Sequence, residues 1–227
     1  MAKKVFIGVG HGGIDGGATA NGFKEKDLNL AVALACNSEL VRHGVSVQMS
    51  RTKDENDALT EEIKECNAFN PDLAIDIHNN AGGGDGAEAY YHYKGGMSKI
   101  LADNVLSEIV KIGQNSRGAK IRKNSIGRDY YGFIRETKAP AVIVECAFVD
   151  NKTDMQIIDT AAEQKAMGVA IAKGILKTLG ITYVAPVVNK PESGKLYRVQ
   201  VGAYSDKANA EAMQAKLKAL GIEAIIV

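Results

Sequence analysis

The stretch that decides the fold is KVFIGVGHGG, residues 4–13. Its first six residues, 4–9, are mainly apolar and β-branched, which predicts a buried strand. A segment dense in glycine follows over residues 10–22. His11 stands where the strand ends, and ligand sites in open α/β sheets gather at the carboxyl ends of strands. The stretch therefore predicts a first strand with a polar site immediately beyond it.

Segments of two kinds alternate through the first 180 residues. Apolar runs predict further strands at residues 45–49, 72–77, 87–93 and 141–148. Periodic apolar positions predict helices at residues 28–40, 59–69, 97–112 and 161–179. Residues 117–137 show neither pattern, and we expect irregular chain there. Strands that alternate with helices indicate an α/β fold with a largely parallel sheet covered on both faces.

The composition changes near Tyr183, and we place a domain boundary there. Residues 184–194 contain two of the four prolines and lack periodicity, so we expect a linker. Residues 195–227 then show a strand, a helix and a strand, a β-α-β unit too small to bury a core by itself. We expect one larger domain at residues 1–183 and a small C-terminal unit.

Charge and hydropathy exclude several classes of protein. Lysine and arginine number 28 against 27 aspartates and glutamates, which leaves a formal charge of +1 and predicts no nucleic-acid partner. No apolar run reaches the roughly 20 residues that span a bilayer, so we expect no membrane insertion. Three cysteines, an odd number, cannot form a disulfide framework. The first residues form a strand pattern rather than a signal peptide, so we expect synthesis in the cytoplasm.

The glycine segment permits two interpretations. Residues 8–13, GVGHGG, match the G-x-G-x-x-G pattern of dinucleotide-binding folds. That fold requires a helix to open at once, whereas residues 14–22 intervene before any helical periodicity. The second strand also ends in Ser50 and Arg51, without the acidic residue that binds the ribose. We therefore reject the nucleotide and consider a metal.

Three more polar residues fall near the ends of elements or inside an apolar strand. Glu25 begins the first helix, His78 ends the third strand, and Glu145 lies within the fifth. Two imidazoles and a carboxylate suit zinc, with a position left open for water and with Glu145 as a spare carboxylate beside it. Each residue also has an ordinary interpretation. In that interpretation Glu25 is a first-turn carboxylate, the two histidines bond to backbone groups, and Glu145 pairs with a cation. Together they favour the metal, because a carboxylate inside an apolar strand is costly unless a charge accepts it.

Four blocks of the chain resemble a known family. They are HGGIDG at 11–16, EKDLNL at 25–30, DIHNN at 76–80 and VECAFVDN at 144–151. In this order they are similar to the zinc-dependent N-acetylmuramoyl-L-alanine amidases of the amidase-3 type, which occur in phage endolysins and bacterial autolysins. The resemblance implies a twisted, mostly parallel sheet flanked by helices. It also implies Zn²⁺ held by His11, Glu25 and His78, with Glu145 as the catalytic acid.

The same resemblance implies a reaction and a place of action. The expected reaction is hydrolysis, by zinc-activated water, of the amide between N-acetylmuramic acid and L-alanine in bacterial peptidoglycan. The protein would then lyse the cell wall after release from the cell. Asn79 and Asn80 follow His78, and Arg128 and Tyr130 fall in the irregular region with which family members shape the substrate groove. We place these four side chains in the groove.

Two rival functions stay open. Cys146 adjoins Glu145 and suggests a thiol enzyme. Successive side chains of a strand point to opposite faces, however, so Cys146 should share the face of Val142 and Val144. A non-catalytic or degenerate wall-binding protein would also preserve much of the pattern.

The C-terminal tail carries a resemblance of its own. Residues 196–204, LYRVQVGAY, and the helix after them resemble the first half of a SPOR domain, a module that binds peptidoglycan glycan. Such domains contain two halves, and this chain ends after one. We expect truncation, and the alternative is a homodimer in which two C-terminal half-domains complete one sheet.

Overall fold

The structure, a computed structural model, describes residues 2–186, 200–219, 222 and 224–226. Contacts divide the chain into two compact units, Met1–Val184 and Ala185–Val227. The expected linker at residues 184–194 lies mostly outside the described residues. No described helix is both long and apolar enough to cross a membrane.

The first unit contains eight strands and six helices within its described residues. In chain order they are β1 (Lys4–Val9), β2 (Thr19–Ala20), β3 (Phe23–Lys24), α1 (Glu25–Arg42), β4 (Ser46–Met49), α2 (Leu59–Phe69), β5 (Leu73–Asn80), β6 (Ala87–Tyr91), α3 (Met97–Val110), β7 (Ser116–Lys120), α4 (Gly132–Glu136), β8 (Ala141–Phe148), α5 (Lys152–Met155) and α6 (Ala161–Thr178). The second unit contributes α7 (Lys207–Ala219).

Six strands form the main sheet in the order β4-β1-β5-β8-β6-β7. Neighbouring strands are parallel except for β6 and β8, which are antiparallel. β2 and β3 form a separate hairpin. The mostly parallel sheet flanked by helices that the sequence predicts is thus confirmed.

The two faces of the sheet are covered unequally. α1 and α3 pack on one face, with α6 against both helices, and enclose the larger core. α2 and α4 cover part of the other face over a smaller core that includes Phe6, Phe133 and Ile143. Side chains alternate along a strand, so Glu145 shares the thinly covered face with Ile143, two positions before it in β8. The more open face of the sheet is therefore the one that carries Glu145.

Four features go beyond what the periodicity predicts, namely β7, α4, the short helix α5 and the β2–β3 hairpin. β7 and α4 occupy much of the region that we expected to be irregular. β7 reads SRGAK, a polar edge strand with little apolar signal, and α4 has 5 residues, fewer than two helical turns. The β2–β3 hairpin turns at Asn21 and Gly22, whose φ angles are 51° and 83°. Asn-Gly is the dipeptide that such two-residue hairpin turns favour, so the sequence does contain an indication of this hairpin.

In the second unit, α7 lies where the tail helix is expected. The two strands of the predicted β-α-β unit are absent from the described residues on either side of it, 200–204, 222 and 224–226. Residues 195–199 lie outside the described residues. A strand exists only where its backbone bonds to a neighbouring strand, and these described segments have no such ladder.

Helix α6 approaches its two neighbours closely at two glycines. A Cβ on Gly168 would lie 2.4 Å from the carbonyl oxygen of Val32 in α1, and one on Gly174 would lie 2.5 Å from the Cα of Val105 in α3. Because both obstacles are backbone atoms in a close-packed interior, a larger side chain would have to displace a helix. These contacts fix the separation of the three helices.

We predict that Gly174→Ala destabilises the fold even though alanine is the better helix former. Helix propensity alone would stabilise the variant by about 1 kcal/mol. Overpacking costs about 1–3 kcal/mol, so we expect a net loss of up to about 2 kcal/mol and a lower thermal midpoint by circular dichroism. Lys165→Ala, at an exposed position of the same helix, is the control and should change the midpoint little. A raised midpoint for Gly174→Ala would contradict the close approach.

Candidate metal centre

Two neighbouring strands bring the two predicted histidines together. β1 and β5 are parallel partners, with Val9 opposite Ile77, and the amide of Gly10 donates to the carbonyl of Ile77 at 3.0 Å. His11 follows β1 and His78 lies in β5, so both imidazoles stand at the same edge of the sheet. Their ring centroids are 5.1 Å apart.

The backbone of His11 is strained. Its φ of 62° lies in the left-handed region, which costs a residue with a Cβ roughly 1–2 kcal/mol. Such strain persists where the surroundings hold it, and it is common at functional sites. Here Gly12 and Asp15 exchange backbone hydrogen bonds of 2.9 and 3.0 Å, which close a tight turn directly after the histidine.

Glu25 reaches the histidines from the first residue of α1. The β2–β3 hairpin leads directly into the helix, and the amide of Glu25 donates to the carbonyl of Ala18 at 2.8 Å. Oε2 of Glu25 lies 3.2 Å from Nε2 of His11, and Oε1 lies 3.0 Å from Nδ1 of His78. One ligand atom from each of the three residues lies within 4.8 Å of the others. The structure thus brings together the three residues that the sequence predicts as metal ligands.

The chemistry of this group fits a divalent cation. Glu25 is only 4% exposed, and an ionised carboxylate so deeply buried is costly without opposite charge. Burial acts to raise the pKa of Glu25, but hydrogen bonds with His11 and His78 outweigh it and hold that pKa far below its usual range. Two imidazole nitrogens and a carboxylate oxygen are ligands that zinc and other borderline cations accept.

The second ring nitrogen of each histidine faces an aspartate. Nδ1 of His11 lies 2.8 Å from Oδ2 of Asp15, and Nε2 of His78 lies 3.2 Å from Oδ2 of Asp76. Metal-binding histidines commonly donate their other N–H to a carboxylate, which orients the ring. Burial acts to lower the pKa of His78, but Asp76 and Glu25 outweigh it and raise that pKa well above its ordinary value. The sequence signal for Asp76 is its place two residues before His78, on the same face of β5.

Arg51 holds the glycine segment in place behind His11. Its buried side chain donates to the carbonyls of Val9, Gly10 and Lys26 at 3.1, 3.2 and 2.8 Å. A guanidinium carries five N–H donors in a rigid plane, which suits it to bind several carbonyls at once. Arg51, which stands where a nucleotide-binding fold would have an acid, therefore supports the loop that carries the predicted ligand His11.

Glu145 lies beside the three-residue group. It pairs with His78 across β5 and β8, so both side chains project from the same face. Its Oε2 is buried and has no hydrogen-bond partner among the described residues. Burial raises the pKa of Glu145 to about 7, although the nearby His78 acts to lower it. A carboxyl group of that pKa can accept and return a proton near neutrality.

A further buried carboxyl group lies behind His78. Glu62 in α2 and Asp76 in β5 come close together over Gly8. A Cβ on Gly8 would lie 2.0 Å from Oε1 of Glu62 and 2.8 Å from Oδ1 of Asp76. Burial, followed by repulsion from Asp76, raises the pKa of Glu62 well above its ordinary value. The pair therefore need not carry two negative charges. Nothing in the sequence indicates this contact, because Glu62 belongs to an ordinary amphipathic helix.

The two asparagines after His78 have different surroundings. Asn79 is 2% exposed, its amide donates to Oε1 of Glu25 at 3.2 Å, and its side chain donates to Asn29 at 2.8 Å. Alternation along β5 turns it into the core, so it supports Glu25 and does not line a groove as predicted. Asn80 is half-buried on the open face and donates to Oε1 of Glu88 at 3.2 Å.

Arg128 and Tyr130 lie farther from the metal-binding group. Arg128 lines a cavity of about 190 Å³ together with His92, which follows β6. The end of β6 pairs with the start of β8, three residues from Glu145 and hence roughly 10 Å along the strand. Tyr130 is half exposed in the same loop. The structure does not bring these two side chains to the predicted ligands, and their part in a substrate groove stays a prediction.

Known proteins match most of the chain. The N-acetylmuramoyl-L-alanine amidase family model matches residues 5–177, and the SPOR domain model matches residues 171–227. The N-acetylmuramoyl-L-alanine amidase CwlM of Bacillus licheniformis is 34% identical over 228 residues, which cover 99% of this chain and 84% of that protein. An endolysin of Bacillus phage SPP1 is 35% identical over 217 residues, covering 88% of this chain and 77% of the endolysin. The structure of Cwp6 from Clostridium difficile superimposes with a TM-score of 0.78 at 40% identity, over 79% of this chain and 30% of that one.

The three cysteines do not contribute to this site. Cys146 lies in the larger core with Val142 and Val144, on the face of β8 opposite to Glu145, as the alternation predicts. Burial raises the pKa of all three thiols, Cys36 and Cys66 included. A nucleophilic thiol needs exposure and a lowered pKa, so the geometry disfavours the thiol enzyme.

We predict that the native thiols resist a disulfide reagent such as dithionitrobenzoate. Burial should limit the reaction to well under one thiol per chain within minutes, and all three should titrate after unfolding in guanidinium. Ser107→Cys, at an exposed position of α3, is the positive control and should add one fast-reacting thiol. Rapid modification of Cys146 in the native protein would reopen the thiol mechanism.

Proposed function

We propose that the chain, which belongs to the N-acetylmuramoyl-L-alanine amidase family and is a peptidoglycan hydrolase, holds a Zn²⁺ ion through His11, Glu25 and His78. The observation that carries this proposal is the convergence of two imidazoles on one buried carboxylate, with ligand atoms within 4.8 Å of one another. The aspartates behind both histidines support it, because they fix the ring orientations that a metal requires.

The bound ion would supply a Lewis acid that polarises the scissile carbonyl and makes water acidic near neutral pH. Glu145 would perform the proton transfers. Its carboxylate accepts a proton from the attacking water and returns it to the nitrogen of L-alanine, which must be protonated to leave. Its place opposite His78, its buried Oε2 without a partner and its raised pKa support this role.

We predict that Glu145→Ala separates catalysis from metal binding. The variant should retain about one Zn²⁺ per chain by mass spectrometry, because Glu145 is outside the ligand group. Its hydrolysis of purified cell walls, followed as release of free alanine amino groups, should fall roughly 10²–10⁴-fold. His78→Ala should lose the metal as well as the activity, since it removes a ligand.

Glu61→Ala, at an exposed position of α2, is the control for both measurements and should match the wild type. Near-normal hydrolysis by zinc-loaded Glu145→Ala would refute the role of Glu145. Full zinc retention by His78→Ala would refute the ligand assignment.

We also propose that the C-terminal unit binds peptidoglycan, which the match of residues 171–227 to the SPOR domain supports. Because the complete predicted ligand set and Glu145 are present in the first unit, a wall-binding protein without catalysis is the weaker interpretation. Peptidoglycan lies outside the cytoplasmic membrane, so the protein would act after release from the cell that makes it.

Pairing of two copies through the C-terminal units is a separate proposal. It predicts that the full chain sediments as a dimer at micromolar concentration, while residues 1–183 sediment as a monomer. Sedimentation velocity at several concentrations measures both. A monomeric full chain would exclude the pairing and leave the amidase proposal untouched.

A further inference from the structure

A row of charged side chains crosses the open face of the sheet beside the metal centre. Glu145 of β8 pairs with His78 on one side and with Glu88 of β6 on the other. On the next strand, Lys120 of β7 pairs with Tyr90 of β6. Paired residues of adjacent strands share a face and lie about 5 Å apart. Glu88 therefore lies one strand beyond Glu145, on the side away from the predicted ligands.

Glu88 is the centre of a buried polar network. It is 3% exposed, and its Oε2 accepts a hydrogen bond from Nε of Arg117 at 2.7 Å and another from Nζ of Lys120. Its Oε1 accepts from the hydroxyl of Tyr90 at 2.8 Å and from Asn80 at 3.2 Å. Burial acts to raise the pKa of Glu88, but Lys120 and Arg117 outweigh it and lower that pKa. The carboxylate is therefore held charged and fully coordinated.

Two cations meet only one carboxylate in this network. The side chains of Arg117 and Lys120 are 38% and 33% exposed, and neither donates to another side chain among the described residues. Asp154 is the other carboxylate near Arg117, and its oxygens already accept the amides of Gly86 and Phe148. The terminal nitrogens of Arg117 and the remaining N–H groups of Lys120 thus have no protein acceptor among the described residues, while both side chains are partly exposed.

Arg117 is also held in a fixed place. Its guanidinium carbon lies 5.0 Å from the centre of the Phe148 ring, and Nε is bonded to Glu88. The terminal nitrogens of a guanidinium fixed in this way can bind a carboxylate with little loss of side-chain freedom. The network is therefore arranged to bind an anion, with Glu88 as the positioning residue.

We propose that Arg117 and Lys120 form a subsite for the free α-carboxylate of the second residue of the stem peptide. The inference rests on the proposed function. In the substrate, the lactyl carboxyl of N-acetylmuramic acid is consumed in the scissile amide, so the nearest carboxylates lie on the peptide side. The second residue is a D-glutamate joined through its side-chain carboxyl, which leaves its α-carboxyl group free or converted to an amide.

The distances are consistent with this placement. The scissile nitrogen must lie near Glu145, and two residues of extended peptide span about 7 Å. Lys120 and Arg117 both bond to Glu88, which lies about 5 Å from Glu145 across the sheet. A peptide that leaves Glu145 toward β6 thus brings its second residue to the two cations.

The experiment compares two soluble ligands that differ at one group. They are N-acetylmuramoyl-L-alanyl-D-glutamate with its side-chain carboxyl capped as the methylamide, and the counterpart in which the α-carboxylate of the same capped compound is a carboxamide. Binding to the zinc-loaded Glu145→Ala protein is measured by calorimetry, so that turnover is not required. We expect the carboxylate ligand to bind about 10–100-fold more tightly, the scale of a charge-assisted hydrogen bond.

Variants of Lys120 then test whether this residue causes the tighter binding of the carboxylate ligand. Lys120→Met should reduce the preference about tenfold by weakening only the carboxylate ligand, and Lys120→Arg should largely restore it. Lys123→Met is the matched control, because Nζ of Lys123 lies 4.6 Å from the centre of the Tyr93 ring and outside the Glu88 network. It should keep the full preference.

Equal affinity for the two ligands would overturn the subsite, as would a preference that Lys120→Met leaves intact. A Lys120→Met protein that weakens both ligands alike would show that the lysine only stabilises Glu88, and would overturn it too. Release of the alanyl dipeptide, with its free alanine amino group, from the carboxamide ligand by the wild-type chain tests the amidase proposal separately. Either proposal can therefore fail without the other.

Discussion

The Glu25 carboxylate is buried, charged and bonded to two imidazoles, and the surrounding structure depends on keeping it so. An ionised carboxylate in that position is tolerated only where opposite charge and hydrogen-bond donors surround it. The histidines supply the charge, while the amides of Ala18 and Asn79 donate at 2.9 and 3.2 Å. The hairpin before α1, the turn after β1 and the carboxyl end of β5 all meet at this one side chain.

Periodicity predicts most of the fold, because long apolar elements carry a repeated signal. Strands β1, β4, β5 and β8 and helices α1, α2, α3 and α6 lie where the pattern places them, within a few residues. β7 and α4 escape prediction for opposite reasons. An edge strand such as SRGAK needs few apolar residues, and a helix of 5 residues is too short for its apolar period to repeat.

The same distinction applies to the site. The sequence indicates His11, Glu25 and His78 because polar residues at the carboxyl ends of strands and at the start of a helix lie at the same edge of the sheet in this class of fold. It does not indicate Glu62 and Glu88, because each acquires its meaning from a partner distant in the sequence. The contact between Glu88 and Arg117 joins residues 29 apart, and it depends on the order of strands in the sheet rather than on any local pattern. For Asn79 the sequence suggests a role that the structure does not support. It follows His78 directly, but side chains alternate along β5, so His78 faces the open side of the sheet and Asn79 faces the core.

Arg51 has a consequence for how an ion would be captured. Its bonds to the carbonyls of Val9, Gly10 and Lys26 tie the turn at His11 to β1 and α1, while His78 is part of a central strand. The three donors are thus pre-organised by protein contacts alone, unlike the ligands of a zinc finger, whose chain is unfolded without metal. Little chain entropy would then be lost on binding of a cation, and chelation would leave an apoprotein that keeps its shape and can be reloaded.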